Sequence, residues 1–392
     1  MKPELQFLLN CCRTSPSPEM VTTMRSQLTT GNSAWLMTIG QLALDHGVFP
    51  LFYKSLNEHA ADLIAEEILK DLERQYLGVV QNNMLLSAEL ICIMKLLAAN
   101  NISALAFKGP TLALIAYGDI TLRQYGDLDI LVRKEDIYKV DSLLKAQGYQ
   151  RALELTPSQE KIWFDRAHDL ALHHPDLDVH VEMHWSLMNE DHPIKLELDE
   201  VWDNPNPVVI NQQSINTFAH EELLIYLLIH GSKHLWERIE WIKDIDLLVK
   251  SRELDWQKIM EKVQGRDFEI MFFLGLYLAD RFFATEFPAL ITERMAVYKE
   301  LPNLSEDIIA RKWSSRNAGG LTATLGLTCT MLKLFPGWKK RLLYLHSTLI
   351  KPSFNEYWLI DLPRSLHWLY YLIRPCMLTS KYLKNWCLAP KR

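Results

Sequence analysis

The sequence is poor in cysteine and has no metal-type or redox-type cysteine spacing. Its six cysteines are scattered through 392 residues, none forms a Cys-x-x-Cys pair, and the adjacent Cys11 and Cys12 are badly placed to bridge each other. That excludes a disulfide-stapled framework and predicts reduced thiols in a cytoplasmic protein. Long uncharged apolar runs are missing too. The nearest, YWLIDLPRSLHWLYYLI over 357–373, is interrupted by Asp361, Pro363, Arg364 and His367. A buried or interfacial helix is expected there, and no stable membrane span. The N-terminal MKPELQFLLNCCRTSPSP lacks the apolar length and cleavage pattern of a secretory leader. Internal repeats and low-complexity tracts are absent. A net charge of −6 argues against a strongly basic nucleic-acid binder. The charge is uneven, however. From Met331 to Arg392 there are 11 basic and 2 acidic residues, a segment of +9 attached to a remainder of −15. Such a tail either meets an anionic partner or attracts the acidic body.

What is present is an ordinary globular composition, 48% hydrophobic and 23% charged. Residues 1–99 read as a helical region. Ile68, Leu72, Tyr76, Val79 and Val80 recur at helical spacing, and an earlier helix breaks at Gly47, with Pro50 opening the next. The texture changes over 100–210. ISALAF is a short apolar run ended by Lys108-Gly109-Pro110, TLALIAYGD a short helix, DLDILV a second strand, and EDIYKVDSLLKAQGYQ a helix. LDVHVEMHW alternates strictly, with Asp178, His180, Glu182 and His184 at its even positions. The Pro- and Asn-rich NPNPVVINQQSIN marks a boundary. Residues 211–392 are again helical. The expected class is α+β, a small mixed β-sheet flanked by N-terminal and C-terminal α-helical regions.

The chemistry concentrates in the middle region. Asp127 and Asp129 lie two apart at the head of a strand, so both carboxylates face the same way, about 6.7 Å apart along the chain. Like charges so close repel unless a cation lies between them. Glu182, on a later strand, can reach the pair across a spacing of about 4.8 Å. Three converging carboxylates suit hard divalent ions, and two such ions serve phosphoryl transfer. Gly109 lets backbone N–H groups approach a phosphate closely. Lys108 offers those phosphates a cation.

The pattern FKGPTLALIAYGDITLRQYGDLDILV, then a helix, then VHVEMHW, resembles the uncharacterised nucleotidyltransferase group of the DNA polymerase β-like superfamily. The likeness extends through HGSKHLWERIEWIKDIDLL and more faintly to WLMTIGQLALDHGVFPL. It implies that Gly109 is the turn glycine, that Asp127 and Asp129 are the metal-binding pair, and that Glu182 is the third acid. It also implies a nucleoside triphosphate such as ATP as substrate and Mg²⁺, or Mn²⁺, as cofactor. A nucleoside monophosphate would pass to an acceptor hydroxyl on a protein, tRNA, sugar or small molecule. Pro110 follows the turn glycine where the superfamily has Ser or Gly, and 17 residues separate Gly109 from Asp127. These departures motivate a second reading, a catalytically degenerate nucleotide-binding or scaffold protein in a biosynthetic or RNA-related complex.

Other residues carry competing readings. Arg123 either pins a phosphate or neutralises the acids. His180 and His184 stand in as ligand or substrate contacts if Glu182 does not serve. His230 and His234 share a helix face, and with Asp244 and Asp246 downstream they offer a metal phosphohydrolase as a third reading. The favoured alternative is a structural role, with Lys233 leaning over the nucleotide. Trp236 and Trp241 read as core. The tail's basic residues interleave with Trp358, Trp368, Tyr370, Tyr371 and Trp386, a pattern that fits RNA or a packed helix with a solvated face.

Overall fold

The computed structural model describes residues 1–189, 192–196, 199–313, 321–360 and 362–388. Asp361 and the side chain of Trp386 lie outside the described residues. The sheet takes β1 (Ala104–Ala106), β2 (Asp127–Val132), β3 (Gln150–Arg151), β4 (Asp169–His174) and β5 (Val179–His184) in the order β1-β2-β5-β4-β3. β2 and β5 run parallel, and the other neighbours pair antiparallel. The α+β class expected from the sequence is the one found.

Side chains alternate across a strand, so each strand divides its residues between two surfaces. Leu128, Ile130 and Val132 of β2 join Val179, Val181 and Met183 of β5 in one apolar core. The Glu66–Ala99 helix covers that surface with Leu86, Leu90, Ile93 and Leu97, and the Ile137–Ala146 helix adds Val140 and Leu144. The opposite surface carries Asp127, Asp129, Glu182 and His184. Leu131, also on that side, joins a larger core shared by the N-terminal helices and the helices beyond residue 220. Leu72 of the Glu66–Ala99 helix lies in that larger core as well, so a single helix spans both. By length and composition this helix is apolar enough to cross a membrane, although Glu89 and Lys95 interrupt its apolar run.

Residues read as a boundary form a hairpin instead. β6 (Asn206–Ile210) pairs antiparallel with β7 (Gln213–Thr217). Its two-residue turn, Asn211-Gln212, has φ of 45° and 65°, the conformation that suits a tight hairpin. The strand at 169–174 carries no sequence signal, because DLALHH places histidine where an apolar residue would mark the pattern.

Candidate active site

A cavity of about 740 Å³ opens over the polar side of β2 and β5. Its walls include Lys108 and Gly109, Tyr226 and Lys233 of the His220–Lys233 helix, and Glu240 and Trp241 at the start of the Ile239–Ser251 helix. Asp45, from the N-terminal helices, completes the rim.

The parallel register sets Asp129 beside Glu182 and Asp127 beside His180. Asp129, Glu182 and His184 each offer a ligand atom within 4.8 Å of the others. His184 Nε2 lies 3.1 Å from Asp129 Oδ1 and 3.3 Å from Glu182 Oε2. Lys108 Nζ contacts the same Asp129 oxygen at 2.6 Å. Asp127 lines the cavity beside them. Gly109 has φ +54°, and a Cβ there would sit 3.3 Å from the Asp127 carbonyl oxygen, so glycine allows the turn to press against the head of β2.

These contacts fix the charge states. Burial works against the Asp129 carboxylate, but the Lys108 ammonium and His184 outweigh it and hold the group at about 2. Burial also opposes an imidazolium at His184, yet its bonds to Asp129 and Glu182 push it up to about 9. Asp127 is raised, first by burial and then by repulsion from Asp129. At neutral pH two cationic side chains therefore lie among the acids.

Arg123 is engaged elsewhere. Its Nε and Nη2 donate to the two oxygens of Asp244, each at 2.9 Å, and Tyr117 Oη donates to Asp244 Oδ1 at 2.8 Å. The acid that Arg123 neutralises is thus Asp244, and the pair ties the loop before β2 to the Ile239–Ser251 helix. Asn83 holds the same loop by donating to the carbonyls of Ile120 and Arg123. Asp246 is taken up by Lys243 and Lys250. Among the described residues His230, His234 and Asp244 do not form a metal-ligating group. Instead His230 Nδ1 meets Tyr226 Oη at 3.4 Å, and burial keeps its imidazole well below the usual value. Lys233 is half-buried in the wall, its pKa lowered by burial against the pull of Asp169. Trp236 is core, as expected, whereas Trp241 is half-buried and lines the cavity with His230 and His234.

Two groups escaped the sequence reading. Asp169 opens β4 beside His184 and pairs with His168 at 3.0 Å. Glu240 is buried at the cavity wall. Its Oε1 accepts from Arg238 at 3.2 Å, while Oε2 meets no donor. That oxygen lies 1.5 Å from where a Cβ on Gly47 would be, and Gly47 has φ +72°, so the N-terminal helix break needs glycine on both counts. No local pattern marks either acid, since each gains its place from a distant partner. A further set of possible ligands, His173, Asp178 and His180, lies at the exposed end of the β4–β5 hairpin.

Burial raises the Glu240 carboxyl to about 7, against the pull of Arg123 and Arg238. An acid whose folded pKa exceeds its unfolded value favours folding most below the unfolded value, and that stability drains away as pH rises toward the folded one. Relative to wild type, Glu240→Gln should therefore gain roughly 2 kcal/mol in urea unfolding between about pH 5.5 and about pH 8. A pH-independent difference would contradict this assignment.

A family model described as an uncharacterised nucleotidyltransferase matches residues 37–284, more than half of the chain. No curated protein matches. Among solved structures, the chain is similar to an antigenic nucleotidyltransferase-like protein from Paracoccidioides brasiliensis, at 15% identity and a TM-score of 0.32, over 57% of this chain and 91% of that one. By the family match, the chain belongs to the uncharacterised nucleotidyltransferase family.

Proposed function

We propose that the protein binds a nucleoside triphosphate in this cavity and transfers a nucleoside monophosphate to an acceptor hydroxyl. The observation that carries the reading is the meeting of Asp127, Asp129 and Glu182 on one side of the β2–β5 pair, beneath the Lys108-Gly109 turn. The donor set fits a metal, because the ligand atoms of Asp129, Glu182 and His184 are already close enough to share an ion, and Asp127 adds a carboxylate beside them. Bound there, two divalent ions such as Mg²⁺ or Mn²⁺ would activate the attacking oxygen and offset charge on the leaving pyrophosphate.

The chain's own groups supply the rest. Lys108 and Lys233 give the cavity positive charge for the polyphosphate. Gly109 brings the backbone close to it. The Glu182 side chain is 38% exposed and that of Asp129 only 1%, so Glu182 is the carboxylate an incoming hydroxyl reaches. It accepts the hydroxyl proton as the oxygen bonds to the α-phosphorus and pyrophosphate departs.

One observation favours the degenerate alternative. Lys108 and His184 already meet the charge requirement of Asp129. Calorimetric titration with each of the four nucleoside triphosphates, with and without Mg²⁺, separates the two readings. Mg²⁺-dependent binding of at least one nucleotide is expected, weakened about tenfold or more in Asp127→Asn. Absence of binding by all four would favour the scaffold.

A further inference from the structure

The exposed apolar surface of this protein is concentrated at its basic end. Every tryptophan that is exposed among the described residues lies there: Trp338 at 67%, Trp368 at 60% and Trp358 at 48%. Aliphatic residues surround them in sequence, including Leu342, Leu349, Ile350, Leu359 and Leu372, all exposed. The Gly337–Leu349 helix buries none of its residues. Trp338, Leu342 and Leu349 fall at i, i+4 and i+11, a single stripe along that helix, and the half-buried Leu345 continues it at i+7. A helix that turns an apolar stripe to solvent has an uncovered partner surface.

The charge identifies that surface. The segment from Met331 onward carries +9 with only two acids, Glu356 and Asp361. Glu356 is buried and taken up by Arg374 at 2.9 Å. Lys333 and Lys340 pair with Asp307 and Asp267 outside the segment, which still leaves a basic surplus. Lys339 and Arg341 flank the stripe on the helix itself. We propose that the C-terminal helices, led by Gly337–Leu349, dock on the surface of an anionic lipid bilayer. Apolar side chains on one side, basic residues beside them and tryptophans at the boundary are the features of a helix lying in the plane of the headgroups. A second copy of the chain is disfavoured, because two such surfaces would bring like charge together. Single-stranded RNA would use the aromatic rings but leave the leucines and isoleucines without a partner.

The test is sedimentation of the full chain with sucrose-loaded vesicles. Vesicles of phosphatidylcholine alone should pull down little protein. Adding phosphatidylglycerol to about 30% should raise the bound fraction about tenfold, and high salt should reverse the gain. Tryptophan emission should shift to the blue on binding. Trp338→Ser with Leu342→Ser should abolish binding with the circular dichroism unchanged, since neither side chain is buried. Lys339→Glu with Arg341→Glu should remove the preference for anionic lipid. No sedimentation with anionic vesicles would overturn the proposal. So would self-association in lipid-free buffer that the serine variants abolish, or tight binding of an oligouridine probe in place of vesicles.

Discussion

Asp129→Asn is expected to cut nucleotide transfer about a thousandfold or more while leaving the fold in place. The side chain keeps its size and loses only its charge. Metal ions contribute several kcal/mol to such a transition state, and each 1.36 kcal/mol or so is a factor of ten in rate. Of the three clustered acids, Asp129 is the one held by two cationic side chains. Lys108 and His184 both meet its Oδ1, so the variant leaves those two cations with Glu182 and Asp127 alone. The measurement is label transfer from each nucleoside triphosphate to components of a cell extract, followed by mass analysis of whatever gains a nucleotide. Asp127→Asn combined with Asp129→Asn should leave no transfer above background. Equal labelling by wild type and the double variant would defeat the proposed chemistry.

The largest expected effect on stability lies outside the acid cluster. Asp244→Ala should destabilise the protein by about 3–5 kcal/mol, because it strands the Arg123 guanidinium without its partner in a buried site. The midpoint of thermal unfolding should fall by roughly 4–6 °C. Removing both charges, as in Arg123→Met with Asp244→Leu, should restore much of the loss, since apolar groups of similar volume pack where the ion pair was. Tyr117 loses its acceptor in either variant, so recovery should be incomplete. A loss under about 1 kcal/mol for Asp244→Ala would show that Arg123 finds another partner.

The parts of this structure that follow from neighbouring residues were legible in the sequence. DLDILV and VHVEMH announce β2 and β5 by their apolar and alternating patterns, and the break at Gly47 and Pro50 separates the Ser33–Asp45 and Phe49–His59 helices as expected. The α+β class and the family resemblance rest on those segments. Contacts between distant segments were not legible. Arg123 and Asp244 are 121 positions apart, and no spacing rule connects them. Glu240 acquires its raised pKa chiefly from burial, to which residues 45–47 contribute by packing against it, and the bond from its backbone N–H to the His46 carbonyl seals that contact at 3.1 Å. Lys108, expected to offer a cation to phosphates, also pairs with Asp129. The pattern around Lys108 carries no information about which acid lies across the turn.

The division of β2 between an oily side and an acidic side also restricts how this lineage can change. One residue inserted between Asp127 and Leu128 would turn the rest of the strand over, driving Asp129 into the packing of Leu90 and Val181 and lifting Leu128 toward the cavity. A change of length is therefore barred inside Asp127–Val132 by the strand itself, and just before it by the Arg123–Asp244 pair and the Asn83 bonds that hold the 118–126 segment in place.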